Sequence, residues 1–260
     1  MTPDAQGRLA ARALEPLVPP RESDDLSSHG HRQLIGWLGL ALPVLLWVIA
    51  GLRPTEGLEP WALLASVSAY YFTGAVAAFV GVLVALSVFL FTYRGYDNAS
   101  HRWDRLAAIV AGSAAVLVAF FPTEAPPGVK APLWWSPRSD TIHAAAATCL
   151  FGAFIVFSLF LFPKSGRPAG APVRAAKRVR NGIYILCGVA MLACVAWVWV
   201  AKTRGAPIFW PESLALGFFA VSWLAKGRAH QTAATAAARV LHYGRHPVRM
   251  LASLRSSVRG

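Results

Sequence analysis

The sequence predicts an all-α, polytopic membrane protein with six transmembrane helices and both termini cytoplasmic. Three observations carry that prediction. Apolar residues make up 56% and charged residues 14% of the 260-residue chain, against roughly 45–50% and 25% in ordinary globular domains, and mean hydropathy is +0.48. Apolar runs recur along the chain, several near or beyond the roughly 18 residues at which a membrane span is the preferred reading. Finally, Lys and Arg gather in alternate connections. A soluble enzyme, a disordered chain and a disulfide-stapled secreted domain are all disfavoured, the last because three cysteines cannot close a framework.

Residues 1–33 carry Pro3, Pro16, Pro19 and Pro20 and the mixed run Arg21-Glu22-Ser23-Asp24-Asp25. They read as a mobile cytoplasmic tail without a cleavable signal. The membrane domain is expected over 34–227. Its first span covers about Leu34 to Leu52 and contains Pro43, which a membrane helix tolerates when neighbours re-satisfy the backbone. From Trp61 to Thr92 there are 32 residues without a charge, about 48 Å if helical, which exceeds the roughly 30 Å hydrocarbon core. An interfacial entry over Trp61–Tyr71 followed by a span over Thr73–Thr92 resolves the excess. Further spans are expected near Leu106–Phe121, Ile142–Phe162, Ile183–Ala201 and Ile208–Ala225. Residues 228–260 form a basic cytoplasmic tail, in which Thr232–Val258 reads as a surface helix broken at Pro247.

Orientation follows from the basic residues, because Lys- and Arg-rich loops stay on the cytoplasmic side. The two tails and the second and fourth connections hold 20 of the 25 basic residues, leaving Arg53, Lys130, Arg138, Lys202 and Arg204 for the other side. An even number of spans with both tails inside accounts for that split. The net charge of +13 is then mainly topological, and anionic lipid headgroups are the expected partners of the basic loops and tail. Nucleic acid is not expected, since no recognition motif accompanies the charges.

Small residues four apart mark packing seams at Gly74/Ala78, Ala77/Gly81, Ala108/Gly112 and Ala111/Ala115. Cys149, Cys187 and Cys194 fall inside spans and read as small buried hydrophobes. Trp61, Trp134, Trp135 and Trp210 lie at outer span ends and Trp103 at an inner end, as interfacial anchors do.

Polar residues that a membrane core would not select emerge at one face. Ser66, Ser68, Tyr70, Tyr71 and Thr73 lie at the outer entry to the second span. Thr123 follows the third, His143 opens the fourth, and Glu212 opens the sixth. Ser66, Tyr70 and Thr73 share a stripe if that segment is helical. This set is the candidate polar pocket, with His143 as a proton acceptor or donor and Glu212 as its partner. A serine, a histidine and a carboxylate suggest acyl transfer, but no GxSxG elbow is present. The structural alternatives are a cap from Asp140 or Thr141 on the fourth helix and a dipole-favoured Glu212 after Pro211. A metal is not expected, because only His143 among seven histidines lies on the outer side. No cofactor motif is present. Charged residues deep in the spans, the mark of transport routes, are absent.

The ordered elements Ser66-Val-Ser-Ala-Tyr-Tyr-Phe-Thr73, Phe79-Val-Gly81, Tyr93-Arg-Gly-Tyr-Asp97, Ala119-Phe-Phe-Pro-Thr123, His143 and Pro211-Glu212 resemble a bacterial family of six-helix integral membrane proteins without an assigned activity. More distantly they resemble the DRAM and Frag group, linked to autophagy and GPI-lipid remodelling. The resemblance covers about Leu34 to Gly227. It implies a six-helix fold and, together with the high Ala, Gly and Arg usage, a place in the bacterial inner (cytoplasmic) membrane. Where relatives of this kind carry a polar or acidic residue before Phe-Val-Gly, this chain has Ala77-Ala78, which weakens any inherited lipid chemistry. The expected function is therefore lipid binding or handling at the outer pocket, with a membrane-embedded hydrolase or acyltransferase, a transporter and a non-catalytic scaffold as alternatives.

Overall fold

The computed structural model describes residues 22–93, 101–164 and 175–228. Among the described residues six α-helices follow one another: α1 (Glu22–Leu52), α2 (Val76–Thr92), α3 (His101–Phe120), α4 (Pro137–Val156), α5 (Ala175–Thr203) and α6 (Phe209–Lys226). Among the described residues there is no strand. Four helical segments, His29–Leu52, His101–Phe120, Pro137–Leu161 and Lys177–Thr203, are long and apolar enough to cross a membrane, and α2 is apolar over 17 residues. Large apolar side chains such as Trp37, Val44, Val88, Phe160, Leu186 and Trp199 stand on the outside. Apolar surface on this scale marks contact with lipid or a partner rather than water.

The first helix begins earlier than the hydropathy pattern indicates. Helix α1 starts at Glu22 and packs before Leu34: the His31 Nε2 meets the Phe89 carbonyl at 2.7 Å, and Arg32 is buried. The boundary of the mobile tail expected at 33 therefore moves back. Residues 1–21, the Arg94–Asp97 part of the Tyr93–Asp97 element, and the Thr232–Val258 surface helix with His242 and His246 all lie outside the described residues. Pro43 sits inside α1 without ending it.

Each helix packs on the next, and α6 returns to α1, closing a ring. Contacts are densest within α2–α3–α4 and within α5–α6–α1, and thinner at the α1–α2 and α4–α5 joins. Gly39 explains the close α1–α6 approach, since a Cβ there would come within 2.6 Å of the Phe219 ring. Among the small-residue seams, Ala108, Ala111, Gly112 and Ala115 are buried, and Ser87 Oγ donates to the Gly112 carbonyl at 2.9 Å across α2–α3. Ala77 and Gly81 instead face outward. Cys187 and Cys194 are buried as expected, but Cys149 is exposed, on the outer face of α4.

Successive helices run in opposite directions. The start of α1, the end of α2, the start of α3, the end of α4 and the end of α6 meet at one end of the ring, called basal here. The opposite, distal end holds the connections 53–75, 121–136 and 204–208. The last turn before the basal end of α4 widens into a π-helix, Phe157–Leu161, closed by the Phe162 N–H donating to the Phe157 carbonyl at 2.8 Å. Such π turns recur at functional or tightly packed positions.

Candidate functional site

The distal end is organised around residues 64–75. The helical stripe expected over Ser66–Thr73 does not form; the segment makes a single 3₁₀ turn, Ser68–Phe72. Short polar side chains compete with the helix ladder by bonding nearby backbone groups, and they do so here. Ser66 Oγ accepts from the Ala69 N–H at 3.0 Å. Thr73 Oγ1 donates to the Tyr70 carbonyl at 2.7 Å and accepts from the Ala75 N–H at 3.1 Å. Tyr70 is fully buried, its ring beside Phe209 and its hydroxyl donating to the Ala62 carbonyl at 3.4 Å. Burial raises the Tyr70 phenol above its ordinary pKa, and the Leu64 backbone bond lowers it by less. Tyr71 is half-buried and packs edge-on against Phe72 and Phe79.

Two helices grip neighbouring residues of this loop. From α6, the Glu212 Oε2 accepts from the Val67 N–H at 2.7 Å. The Ile208 and Phe209 N–H groups, left unsatisfied at the start of that helix, donate to the Ala65 carbonyl at 2.6 and 2.9 Å. From α4, the buried His143 places Nε2 at 2.8 Å from Ser68 Oγ and Nδ1 at 2.7 Å from the Phe121 carbonyl. A carbonyl can only accept, so Nδ1 carries the hydrogen. In the neutral ring Nε2 is then the acceptor, and the Ser68 hydroxyl donates to it. Ser68 is half-buried.

The expected His143–Glu212 pair is thus replaced by two separate bonds, one to Ser68 and one to Val67. Thr123 joins neither; its hydroxyl donates to Asp140 Oδ1 at 2.8 Å. Asp140 also accepts from the Glu124 N–H at 3.3 Å, so it ties the α3–α4 connection instead of capping α4. Thr141 Oγ1 donates to the Pro137 carbonyl. Trp135 is half-buried and bonds the Pro122 and Thr123 carbonyls, whereas Trp61, Trp134, Trp210 and Trp103 are exposed. Ser66, Ser68, Tyr70, Thr73, His143 and Glu212 therefore converge on one loop, while Tyr71 and Thr123 stand at its margins. Among the described residues no three metal-ligating side chains gather.

A second polar cluster, at the basal end, escaped the sequence reading. Arg32, Asp104 and Lys226 are all buried, although Arg32 and Lys226 read as tail charges and Asp104 as part of a basic connection. The Lys226 Nζ donates to the Phe162 carbonyl at 2.9 Å and lies 5.0 Å from the Phe162 ring centre and 5.7 Å from that of Tyr184. Tyr93, Phe157, Phe162 and Trp223 stack around one another at centroid distances of 5.1–5.8 Å. One turn deeper, Ser158 and Ser222 share a hydrogen bond of 2.8 Å. A signal was present: Glu212, Leu216, Phe219, Trp223 and Lys226 follow one helical stripe of α6, which assigns Lys226 to the inward face.

No family model, no curated protein and no solved structure matches this chain.

Proposed function

We propose that this chain is a six-span protein of a bacterial cytoplasmic membrane, with both tails cytoplasmic, whose distal end binds a membrane lipid and presents Ser68 to it. The four long apolar helices, the apolar α2 and the basic residues of the basal connections support the topology, and the resemblance to the bacterial six-helix family agrees with it. The observation that carries the functional reading is the Ser68–His143 contact of 2.8 Å, with the imidazole fixed from behind by the Phe121 carbonyl.

That tautomer is the one a base-activated serine needs. As Ser68 Oγ bonds to an acyl carbonyl carbon, its proton passes to His143 Nε2. Collapse of the adduct breaks the ester bond, and the lipid alcohol leaves with that proton. Water, deprotonated by the same nitrogen, then bonds to the acyl carbon; the acyl–Oγ bond breaks, the fatty acid leaves and the proton returns from His143 to Ser68 Oγ. A carbonyl orients the ring but does not neutralise the imidazolium as a carboxylate does, so turnover about 10⁴-fold below a complete triad is expected.

The test is ester turnover by the full chain in phospholipid vesicles, together with labelling by a serine-directed fluorophosphonate. Label on Ser68 that is lost in H143A, with turnover at least about 100-fold lower in S68A, supports the reaction. Unlabelled Ser68 with unchanged lipid would remove it. A second reading is favoured by the absence of a carboxylate on Nδ1: a non-catalytic lipid-binding scaffold, in which His143 only pins the loop. Under it, lipid co-purifies with wild type and S68A alike and no ester is lost.

A further inference from the structure

His143 accepts from Ser68 only while the Phe121 carbonyl stays on its Nδ1, and α3 by itself does not hold that carbonyl in place. The last ladder bond of α3 runs from the Phe121 N–H to the Leu117 carbonyl at 2.9 Å. Pro122 supplies no N–H and disfavours helical backbone at the residue before it. Phe121 therefore leaves the helix with its carbonyl unclaimed by the ladder. It enters the connection 121–136, which contains neither helix nor strand, so the direction of the carbonyl depends on side chains.

Two side chains fix the connection next to Phe121. The Trp135 Nε1–H is shared between the Pro122 and Thr123 carbonyls at 3.3 and 3.0 Å, but Trp135 belongs to the connection itself. Asp140 belongs to α4, the helix that carries His143. Its Oδ1 accepts from the Thr123 hydroxyl at 2.8 Å and from the Glu124 N–H at 3.3 Å. Asp140 stands three positions before His143, a spacing that puts both side chains on one face of the helix. Helix α4 thus grips the same short stretch twice, through His143 at Phe121 and through Asp140 at Thr123 and Glu124. Both ends of the Phe121–His143 bond are brought into one frame by Asp140.

We propose that Asp140 is a positioning residue for the Ser68–His143 reaction: by anchoring Thr123 and Glu124 to α4 it keeps the Phe121 carbonyl on Nδ1, and so leaves Nε2 free to take the Ser68 proton. The catalytic consequence rests on the reaction proposed above. The tautomer that Asp140 sets is a property of the resting protein and is measured without turnover. Once the tie is cut, the ring is no longer obliged to carry its hydrogen on Nδ1; with the hydrogen on Nε2 it donates to Ser68 instead of accepting from it.

The experiment combines ¹⁵N nuclear magnetic resonance of the histidine-labelled full chain in detergent, with H143A identifying the His143 signals, and the rate of fluorophosphonate labelling of Ser68 in phospholipid vesicles. Wild type is expected to show the Nδ1–H form. Asp140→Ala should shift the ring toward Nε2–H and slow labelling on the order of 10-fold. Asp140→Asn keeps an oxygen that accepts both bonds, and should retain the Nδ1–H form and label within about twofold of wild type. Thr123→Val removes one of the two ties without touching α4 and should slow labelling by about threefold, which keeps the test decisive if circular dichroism shows Asp140→Ala unfolded. A tautomer shift in D140A that D140N restores, with Ser68 unlabelled in wild type, supports the positioning of the ring while the reaction proposed above fails. An unchanged tautomer and labelling rate in D140A and T123V overturns the proposal. So does D140N behaving as D140A, because Asp140 would then supply charge and not position.

Discussion

The two ends of the ring solve the problem of polar groups in an apolar protein in opposite ways. At the basal end the charged groups are sealed: Arg32, Asp104 and Lys226 are 3%, 4% and 7% exposed, set against a stack of aromatic rings, with the Lys226 ammonium satisfied by a backbone carbonyl and two π faces. At the distal end the polar side chains mostly serve backbone. Ser66, Thr73 and Glu212 each bond a main-chain group of the 65–75 loop, because its single 3₁₀ turn leaves other backbone groups without a ladder partner. Among the described residues, Ser68 and His143 there bond side chain to side chain onto that loop, as Thr123 and Asp140 do on the α3–α4 connection. Burial alone thus does not separate the two ends; what differs is that the buried His143 bonds the half-buried Ser68 hydroxyl of a loop.

If the basal cluster is a structural lock, its loss should be the costliest change. Lys226→Ala strands the Phe162 carbonyl and removes two cation–π contacts, and about 3 kcal/mol of destabilisation is expected in detergent unfolding followed by circular dichroism. A neutral Lys226→Ala would break the contrast between the two ends. Next is the clamp between distal connections. Gly57 and Gly128 have φ of 85° and 86°, and a Cβ on Gly57 would overlap the Gly128 carbonyl. Gly57→Ala should cost about 2 kcal/mol by the same measurement, from left-handed strain plus that overlap.

Smaller again is Glu212→Ala, which leaves the Val67 N–H without its acceptor; about 1.5 kcal/mol is expected, with Glu212→Gln recovering most of it because the amide oxygen still accepts. Were Glu212→Gln as damaging as Glu212→Ala, the carboxylate charge would matter and the distal end would be more than a set of backbone bonds. The smallest effect belongs to Ser222→Ala. It removes the bond to Ser158 at about 0.6 kcal/mol, the size typical of side-chain hydrogen bonds between membrane helices. A much larger loss would place Ser158 and Ser222 inside the basal lock instead of beside it.

Composition and periodicity alone determined the class of structure: apolar helices and, among the described residues, no strand, with exposed tryptophans at Trp61, Trp134, Trp210 and Trp103. They also selected six residues that converge on one distal loop, because serines, a histidine and an acid at helix ends stand out against an apolar background. Their pairing was decided only in three dimensions. Val67 and Glu212 are 145 positions apart and Ser68 and His143 are 75 apart, and no local pattern specifies which acceptor meets which donor. The basal cluster was hidden for a related reason. A Lys or Arg at the end of a span reads the same whether it reaches into water or folds back under the helix ends, and only the packing of α1, α3, α4 and α6 around Trp223 closes that space to solvent.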